Sequence, residues 1–280
     1  MLVIHKIKEI EQLIAFEKQK GLTVGFVPTM GALHQGHISL IEISKKSTNL
    51  TICSIFVNPT QFNNPSDLTL YPRTPETDIK LLEAAGCDIL YMPEVSDVYP
   101  ENDTRAFNFG FLDTVLEGAT RPGHFNGVGQ VVSILLEGVK PDKAFFGSKD
   151  YQQVMVVKEL VKQLKFPVEI VSCPILREND GLAMSSRNTR LSLEERKLAS
   201  LIPIMMKEAK QIVLQKGVPE AKWFIEQEVI KVPLMKLDYY EICDANTLQS
   251  ISTIDKDKQA ISLIAIFVGK IRLIDNWLIN

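Results

Sequence analysis

The sequence of 280 residues lacks the features that mark several special classes of protein. Its 4 cysteines are widely spaced and form no CxxC pair, so a zinc or redox site has no support and we expect buried free thiols. Neither a GxGxxG motif nor a GxxxxGKS/T motif is present. The usual signatures of a dinucleotide-binding fold and of a P-loop are therefore missing.

Strong charge and long apolar runs are also missing. The net charge is -3 and the pI about 5.9, so no overall basic field attracts nucleic acid. No apolar run reaches the length of a membrane span, and the first residues carry charges too early for a signal peptide. We therefore expect a cytoplasmic protein that binds neither nucleic acid nor a membrane.

The composition and the order of predicted elements indicate a globular α/β protein. Hydrophobic residues make up 45% and charged residues 23%. Predicted strands and helices alternate in the first part of the chain, which favours a parallel sheet with right-handed crossovers. A capping box at Ser192 then predicts one long helix to about residue 214, followed by another helix and three strands. We expect a Rossmann-like parallel sheet with helices on both faces, in residues 1–180, and a smaller α+β domain in residues 181–280.

The most informative stretch is Pro28-Thr29-Met30-Gly31-Ala32-Leu33-His34-Gln35-Gly36-His37. It lies between an apolar run that is typical of a buried strand and a segment with helical spacing. Ligands of open α/β sheets bind at this edge, and the free N–H groups of a helix start attract phosphate. A histidine here can equally be a cap or a packing residue. However, 2 of the 4 histidines in the chain, His34 and His37, share this turn, which favours a functional site.

This stretch carries a resemblance to known proteins. His34-Gln35-Gly36-His37 resembles the HxGH signature of the nucleotidylyl-transferase and class I synthetase-like superfamily, in which both histidines contact ATP phosphates. The longer string is narrower and resembles the pantothenate synthetase (pantoate–β-alanine ligase) family. The resemblance implies that His34 and His37 bind ATP here.

A second polar stretch, Asn58-Pro59-Thr60-Gln61-Phe62, follows the next predicted strand. Asparagine and proline are ordinary turn residues, but Gln61 has no evident turn role. In the family that the sequence resembles, the matching segment holds pantoate. The resemblance implies that Gln61 contacts both small substrates.

A third stretch, residues 116–128, is rich in glycine and contains Arg121 and His124. By composition it is a surface loop in front of an apolar helix at residues 131–136. Arg121-Pro122-Gly123-His124-Phe125 nevertheless resembles a family string close to the active site. The resemblance therefore places Arg121 and His124 among the residues near pantoate and β-alanine.

A fourth stretch, Gly147-Ser148-Lys149-Asp150-Tyr151-Gln152-Gln153, follows another short strand. Lone lysines at such turns are usually solvated, yet this one would point to where phosphates bind. The resemblance implies ATP contacts for Lys149 and Asp150, and a pantoate contact for Gln153.

A fifth stretch, Met184-Ser185-Ser186-Arg187, resembles the second superfamily signature, usually written KMSKS. It departs from that form because Ala183 stands at the first lysine and Ser186 at the second. The departure counts against a tRNA synthetase and agrees with the pantothenate synthetase family. Arg187 would supply a fixed cation for the triphosphate.

Together the five stretches imply an ATP-dependent ligase that joins pantoate to β-alanine through a pantoyl adenylate. The resemblance also implies Mg²⁺ carried by the ATP phosphates, with Asp78 a protein ligand only by position, a homodimer, and a C-terminal domain that acts as a lid. The implied catalytic residues are His37, His34, Lys149 and Arg187. The implied ATP-binding residues are Met30, Gly31, Ala32, Leu33, His34, Gln35, Gly36, His37, Gly147, Ser148, Lys149, Asp150, Leu176, Met184, Ser185, Ser186 and Arg187. The implied pantoate and β-alanine residues are Asn58, Gln61, Arg121, His124 and Gln153.

Three alternatives remain open from the sequence. A transferase that leaves AMP on its product would share the HxGH turn. A synthetase-like protein acting on tRNA would need an anticodon-reading domain and a basic surface. A silent nucleotide-binding protein would bind ATP without turnover.

Overall fold

The computed structural model of the chain describes residues 1–62, 68–99 and 104–280. It divides into two compact units, Met1–Pro174 and Ile175–Asn280. The division lies before the boundary expected at residue 180, because the segment after Pro174 belongs to the second unit. Arg177 in that segment pairs with Ala183 in a β-bridge and with Asp275 in the last strand.

The first unit contains six strands and the helices that connect them. Its strands are β1 (Leu2–Ile4), β2 (Val24–Thr29), β3 (Leu50–Ile55), β4 (Ile89–Tyr91), β5 (Lys143–Gly147) and β6 (Glu169–Cys173). Its described α-helices are α1 (Ile7–Gln19), α2 (Gln35–Ser47), α3 (Pro75–Ala84), α4 (Val95–Val98), α5 (Leu116–Thr120), α6 (His124–Val139) and α7 (Tyr151–Leu164).

The six strands form one parallel sheet in the order β1-β4-β3-β2-β5-β6. The chain proceeds from β2 to β3 on one side and returns to β5 on the other side of β2. Strand order therefore reverses between β2 and β5, and ligands of open α/β sheets bind outside the carboxyl ends of the strands at such a point. The turns after β2 and β5 carry the first and fourth stretches of the sequence analysis.

Helices cover both faces of this sheet, as expected. One core contains Phe26 and Phe146 of the sheet with Ile10 of α1, Val132 of α6 and Val157 of α7. The opposite core contains sheet residues together with apolar residues of α2 and α3. Burial on both faces explains why β2 is almost continuously apolar.

The second unit has its own core and an antiparallel sheet. Its helices are α8 (Leu193–Ala199), α9 (Leu201–Gln215) and α10 (Val218–Ile230), and its strands are β7 (Met235–Asp244), β8 (Ala260–Val268) and β9 (Ile271–Leu278). The strands pair antiparallel in the order β7-β8-β9. One helical face of α9 and of α10 packs with this sheet in a common core. The α/β sheet with a smaller α+β domain is therefore confirmed.

Two predicted segments were wrong in detail. The long helix expected after Ser192 is broken at Ser200, which caps α9. Pro203 explains the break, since a proline has no N–H to donate to the carbonyl of Ala199. Residues 116–128 are also largely helical, in α5 and the first turns of α6, because Gly123 (φ 81°) permits a tight turn between the two helices.

Candidate active site

The turn after β2 is fixed by an unusual backbone and by the start of α2. Gly31 and Ala32 both lie in the left-handed region, with φ of 79° and 48°. His34 is the N-cap of α2 and has extended backbone angles. The turn thereby directs both signature histidines toward the carboxyl edge of the sheet.

His34 and His37 cap the helix reciprocally. The backbone N–H of Gly36 donates to His34 Nδ1 at 3.1 Å, and that of His34 donates to His37 Nδ1 at 3.3 Å. The two ring centroids are 4.1 Å apart. Because each Nδ1 accepts a hydrogen bond, the proton of each neutral ring is on Nε2. Each ring therefore offers one N–H donor away from the helix.

The environment keeps both rings uncharged. Burial is the largest cause that lowers the pKa of His34, to about 4, and the nearby Lys149 ammonium lowers it further. Burial lowers the pKa of His37 to about 3, assisted by His34 and Lys149. Both histidines are therefore neutral near pH 7. Because β2 and β5 pair in parallel, the turns that follow them lie at the same edge of the sheet.

Asp78 of α3 holds the same turn from the other side. Asp78 is 1% exposed, and its carboxylate accepts the backbone N–H of Ala32 at 2.9 Å and of Leu33 at 2.8 Å. The Thr74 hydroxyl also donates to it, at 3.1 Å. Within the described residues, no group of three or more histidine, cysteine or acidic side chains is arranged to hold a metal ion. Asp78 therefore anchors the backbone of this loop through hydrogen bonds.

Gln61 is buried at the end of a 3-10 helix, Pro59–Gln61, that follows β3, and both ends of its side-chain amide are hydrogen-bonded. Its Oε1 accepts from Asn58 Nδ2 at 3.1 Å, while its Nε2 donates to the Met30 sulfur at 3.0 Å. Asn58 is 1% exposed, and its Oδ1 accepts from the Tyr99 hydroxyl at 2.6 Å. The Asn58 amide is thus occupied in orienting Gln61.

The start of α6 holds the backbone of Gln61. His124 Nδ1 lies 2.9 Å from Gln61 O, and Arg121 Nη2 donates to the same oxygen at 3.5 Å. Gly127 allows this close packing, since a Cβ there would lie 2.5 Å from Thr60 O. Burial and Arg121 lower the pKa of His124 to about 4, so this ring is neutral too. The second and third stretches are therefore one structural unit around Gln61.

The turn after β5 contains Lys149 and Asp150 in a short 3-10 helix, Ser148–Asp150. The Lys149 side chain is 17% exposed, and its Nζ lies 3.9 Å from Asp150 Oδ2. Gln152 is buried and bonds three backbone groups, Glu117 N, Leu112 O and Val115 O. Of the two adjacent glutamines, Gln152 is therefore structural, whereas Gln153 is only partly buried.

The remaining expected residues belong to the second unit. Leu176 and Met184 pair through their backbones, with Met184 N donating to Leu176 O at 3.0 Å. Ser185 caps a 3-10 helix, Ser186–Arg190, by accepting from Arg187 N at 3.2 Å. Ser186 is buried and Arg187 partly buried. The segment is thus a compact turn held by its own hydrogen bonds.

Sequence reasoning missed Tyr99 and the anchoring contacts of Asp78. Tyr99 has no motif around it, and only the structure shows its contact with Asn58. Asp78 did carry a signal, since it is an acidic residue in the first turn of a helix. Such residues usually interact with their own helix, whereas Asp78 points its carboxylate to another loop.

Comparison with known proteins identifies the chain's relatives. A family model described as pantoate-beta-alanine ligase matches residues 2–278. The chain is 49% identical over 276 residues to the pantothenate synthetase of Bacteroides fragilis, covering 99% of this chain and 98% of that protein. It is similar to the crystal structure of pantothenate synthetase from Thermus thermophilus, with a TM-score of 0.92 and 40% identity over 100% of this chain and 99% of that one. A further similar structure, from Francisella tularensis, is of the ligase complexed with β,γ ATP and β-alanine; its TM-score is 0.81 and its identity 36%, covering 100% and 98% of the two chains.

The fold and the HxGH turn at a sheet switch point place the protein in the class of α/β enzymes that activate a substrate with ATP. The chain belongs to the pantoate–β-alanine ligase family. It is an ATP-dependent ligase that condenses pantoate with β-alanine through pantoyl adenylate, with release of AMP and diphosphate. Among the described residues, no helix is long and apolar enough to cross a membrane.

Proposed function

We propose that the ligase reaction takes place at the switch point between β2 and β5, with His34 and His37 binding ATP phosphates as neutral N–H donors. The observation that carries the assignment is the pair of backbone hydrogen bonds to the two Nδ1 atoms. These bonds leave the Nε2–H group of each ring available to donate to a phosphate at the start of α2. Donors fixed before substrate arrives need no reorganisation during the reaction.

The first step is the attack of the pantoate carboxylate on the α-phosphorus of ATP, with diphosphate leaving. Negative charge spreads over phosphate oxygens in the transition state, so fixed cations and N–H groups stabilise it. Lys149, whose charge already acts on both histidines, is the cation of the first unit. Ser185, Ser186 and Arg187 supply the phosphate contacts of the second unit.

The proposed ATP site is formed by residues of the first, fourth and fifth stretches, together with Leu176. Residues 30–37 form the turn that surrounds the phosphates, Asp150 binds the nucleotide, and Leu176 and Met184 contribute apolar contacts. Mg²⁺ would be bound through ATP and would neutralise part of the charge of its phosphates, as is usual for nucleotide sites. Both carboxylate oxygens of Asp78 already accept hydrogen bonds from the loop, which supports Mg²⁺ binding through ATP rather than through this side chain.

Pantoate is positioned by Gln61 and Gln153, because an amide can hydrogen-bond hydroxyls and a carboxylate without adding charge. Asn58 and His124 support pantoate and β-alanine binding through Gln61, whose amide and carbonyl they hold. Arg121, which also contacts the Gln61 carbonyl, lies beside them. The β-alanine amine then attacks the pantoyl carbonyl, and AMP leaves.

The second unit acts as a lid that keeps water from the adenylate. The enzyme is cytoplasmic and works as a homodimer, whose mass would be about twice the 31.5 kDa of the chain. Light scattering of the purified protein tests the dimer directly.

The residue assignments are tested by isolating the first step. Diphosphate release from ATP and Mg²⁺ is followed with pantoate but without β-alanine, in single turnover. His37→Ala and Lys149→Ala should slow this step, whereas Gln61→Ala should mainly raise the KM for pantoate. An unchanged first step in the His37 variant would remove the central assignment.

A further inference from the structure

Asp78 is a buried helical residue whose carboxylate binds a loop outside its own helix. It lies in the first turn of α3, and its backbone N–H bonds Thr74 O in the ordinary helical way. The residue, however, is 1% exposed, and its carboxylate points out of the helix to Ala32 and Leu33. The donors that it accepts from are two backbone amides and the Thr74 hydroxyl, all uncharged. Burying a carboxylate costs free energy unless it is hydrogen-bonded, so these bonds make the position tenable.

The loop gains a support that it needs. Gly31 and Ala32 adopt left-handed angles, which are unfavourable for alanine. The N–H groups of Ala32 and Leu33 follow the end of β2 and precede α2, so neither regular element satisfies them. Asp78 satisfies both with one carboxylate, at 2.9 and 2.8 Å.

The fit leaves little freedom in the position of the turn. A Cβ on Gly31 would lie 3.1 Å from Asp78 Oδ2 and 3.0 Å from Ile55 Cγ2. Gly31 N also donates to Thr29 Oγ1 at 3.2 Å. Two residues after Ala32, His34 begins the reciprocal cap that orients both rings. A shift of the backbone at Ala32 and Leu33 is therefore passed directly to the two Nε2 atoms.

We infer that Asp78 is a positioning residue for ATP activation, and that its carboxylate sets the direction of His34 and His37 by holding the backbone of Ala32 and Leu33. This inference rests on the proposed role of the two histidines. Asp78 touches neither ring, and its effect on the reaction passes through the loop.

Asp78→Asn tests the inference, because the substitution keeps the size of the side chain but replaces one acceptor oxygen with an N–H donor that faces a backbone N–H. The kcat for pantoate-dependent diphosphate release should fall by about 10- to 100-fold, since small displacements of positioned groups have such effects. The KM for pantoate should change by less than about twofold, because Asn58 and His124, which Asp78 does not contact, also hold Gln61. Glu76→Gln is the matched control: it removes an exposed charge from the same helical turn and should leave kcat unchanged.

A spectroscopic measurement separates positioning from general damage. In ¹H–¹⁵N spectra of the imidazole rings, the Nδ1 signals of His34 and His37 should shift in Asp78→Asn. Those of His5 and His124, which have other partners, should stay in place. Thr74→Val serves if the first variant unfolds: it removes a single hydrogen bond to Asp78 and should give a smaller loss of kcat with the same two ring signals moving.

Different outcomes would overturn the inference on Asp78 and the proposed role of the two histidines. Normal kcat in Asp78→Asn, or lost kcat with unmoved ring signals, would overturn the inference. Recovery of the lost rate at raised Mg²⁺ would make Asp78 a metal ligand instead. His37→Ala is measured in parallel: if that variant keeps its turnover, the proposed function of the histidines fails, whereas its loss beside an active Asp78→Asn leaves that function intact and removes only the inference.

Discussion

The two histidines of the signature turn can work only through their Nε2 atoms, since the helix they cap occupies each Nδ1. Capping of α2 is therefore compatible with the phosphate binding that we propose for these residues. The cap fixes the tautomer and direction of each ring, and a low pKa keeps the rings neutral. Lys149, rather than an imidazolium, provides the nearby positive charge.

His37→Ala should slow adenylate formation by a factor on the order of a hundred or more, because it removes a donor fixed for the transition state. The fold should remain, as judged by circular dichroism. His37→Gln, which keeps an N–H near the position of Nε2, should recover part of the rate. His5→Ala, far from the turn in the sequence, is the control and should have the normal rate; equal rates for the alanine and glutamine variants of His37 would contradict a donor role.

The buried histidines should also make stability depend on pH. In the folded protein the pKa values of His34, His37 and His124 are about 4, 3 and 4, below the ordinary 6.5. The unfolded chain therefore binds more protons between about pH 6.5 and pH 4, so the stability present above pH 6.5 is lost as the pH falls through this window. Urea unfolding at pH 7 and pH 5 should show a loss of a few kcal/mol. His124→Asn should reduce this loss, and a stability that is equal at both values would contradict neutral burial.

At the scale of elements, the turn after β6 is attached to the last strand of the second unit by one side chain. Arg177 donates to both oxygens of Asp275, at 2.7 and 2.9 Å, and to Gly181 O at 3.0 Å. Its guanidinium also lies 4.8 Å from the centre of the Trp277 ring. Since Asp275 is 3% exposed, its charge depends on this partner.

Arg177→Met should lower the free energy of unfolding by about 3 kcal/mol, because it leaves a buried carboxylate without its partner. Arg177→Lys should lose less, as it keeps the charge but not the two-pronged geometry. Both variants should raise the KM for ATP if residues 184–187 bind phosphate. Arg196→Met, which breaks a more exposed pair with Asp180, should cost less than about 1 kcal/mol. Urea titrations of the three variants measure the loss in the free energy of unfolding. Equal losses at Arg177 and Arg196 would show that burial of the Asp275 carboxylate does not strengthen its pairing.

The helices and strands show which structural features could be predicted from sequence patterns. Apolar periodicity and glycine or proline boundaries predicted the alternating strands and helices, because each pattern is local in the chain. The break at Ser200 was missed because the capping box at Ser192 suggested a continuous helix, although Pro203 marked the interruption. The helical state of residues 116–120 was missed because glycine and polar residues suggested a loop, whereas contact with Gln152 stabilises it.

The site was predictable only in part for the same reason. The pattern around His34 and His37 indicated a phosphate site, and the resemblance gave the reaction. The sequence pattern could not indicate that His124 contacts the backbone of Gln61, since this contact joins residues 63 positions apart. Nor could it separate Gln152 from Gln153, because only packing shows which of two neighbours is buried.

At the scale of the whole molecule, the order of the strands explains why two motifs far apart in the chain lie at one edge of the sheet. Reversal of strand order between β2 and β5 brings the turn of His37 and that of Lys149 to one edge. The phosphate contacts proposed for Ser185, Ser186 and Arg187 belong to the second unit.

The most direct test follows the two products in sequence. Diphosphate is measured first with ATP, Mg²⁺ and pantoate, and free AMP is measured after β-alanine is added. Diphosphate release should require pantoate, and free AMP should rise only when β-alanine arrives. Diphosphate release without pantoate, or AMP that stays on the product, would contradict a ligase reaction through pantoyl adenylate.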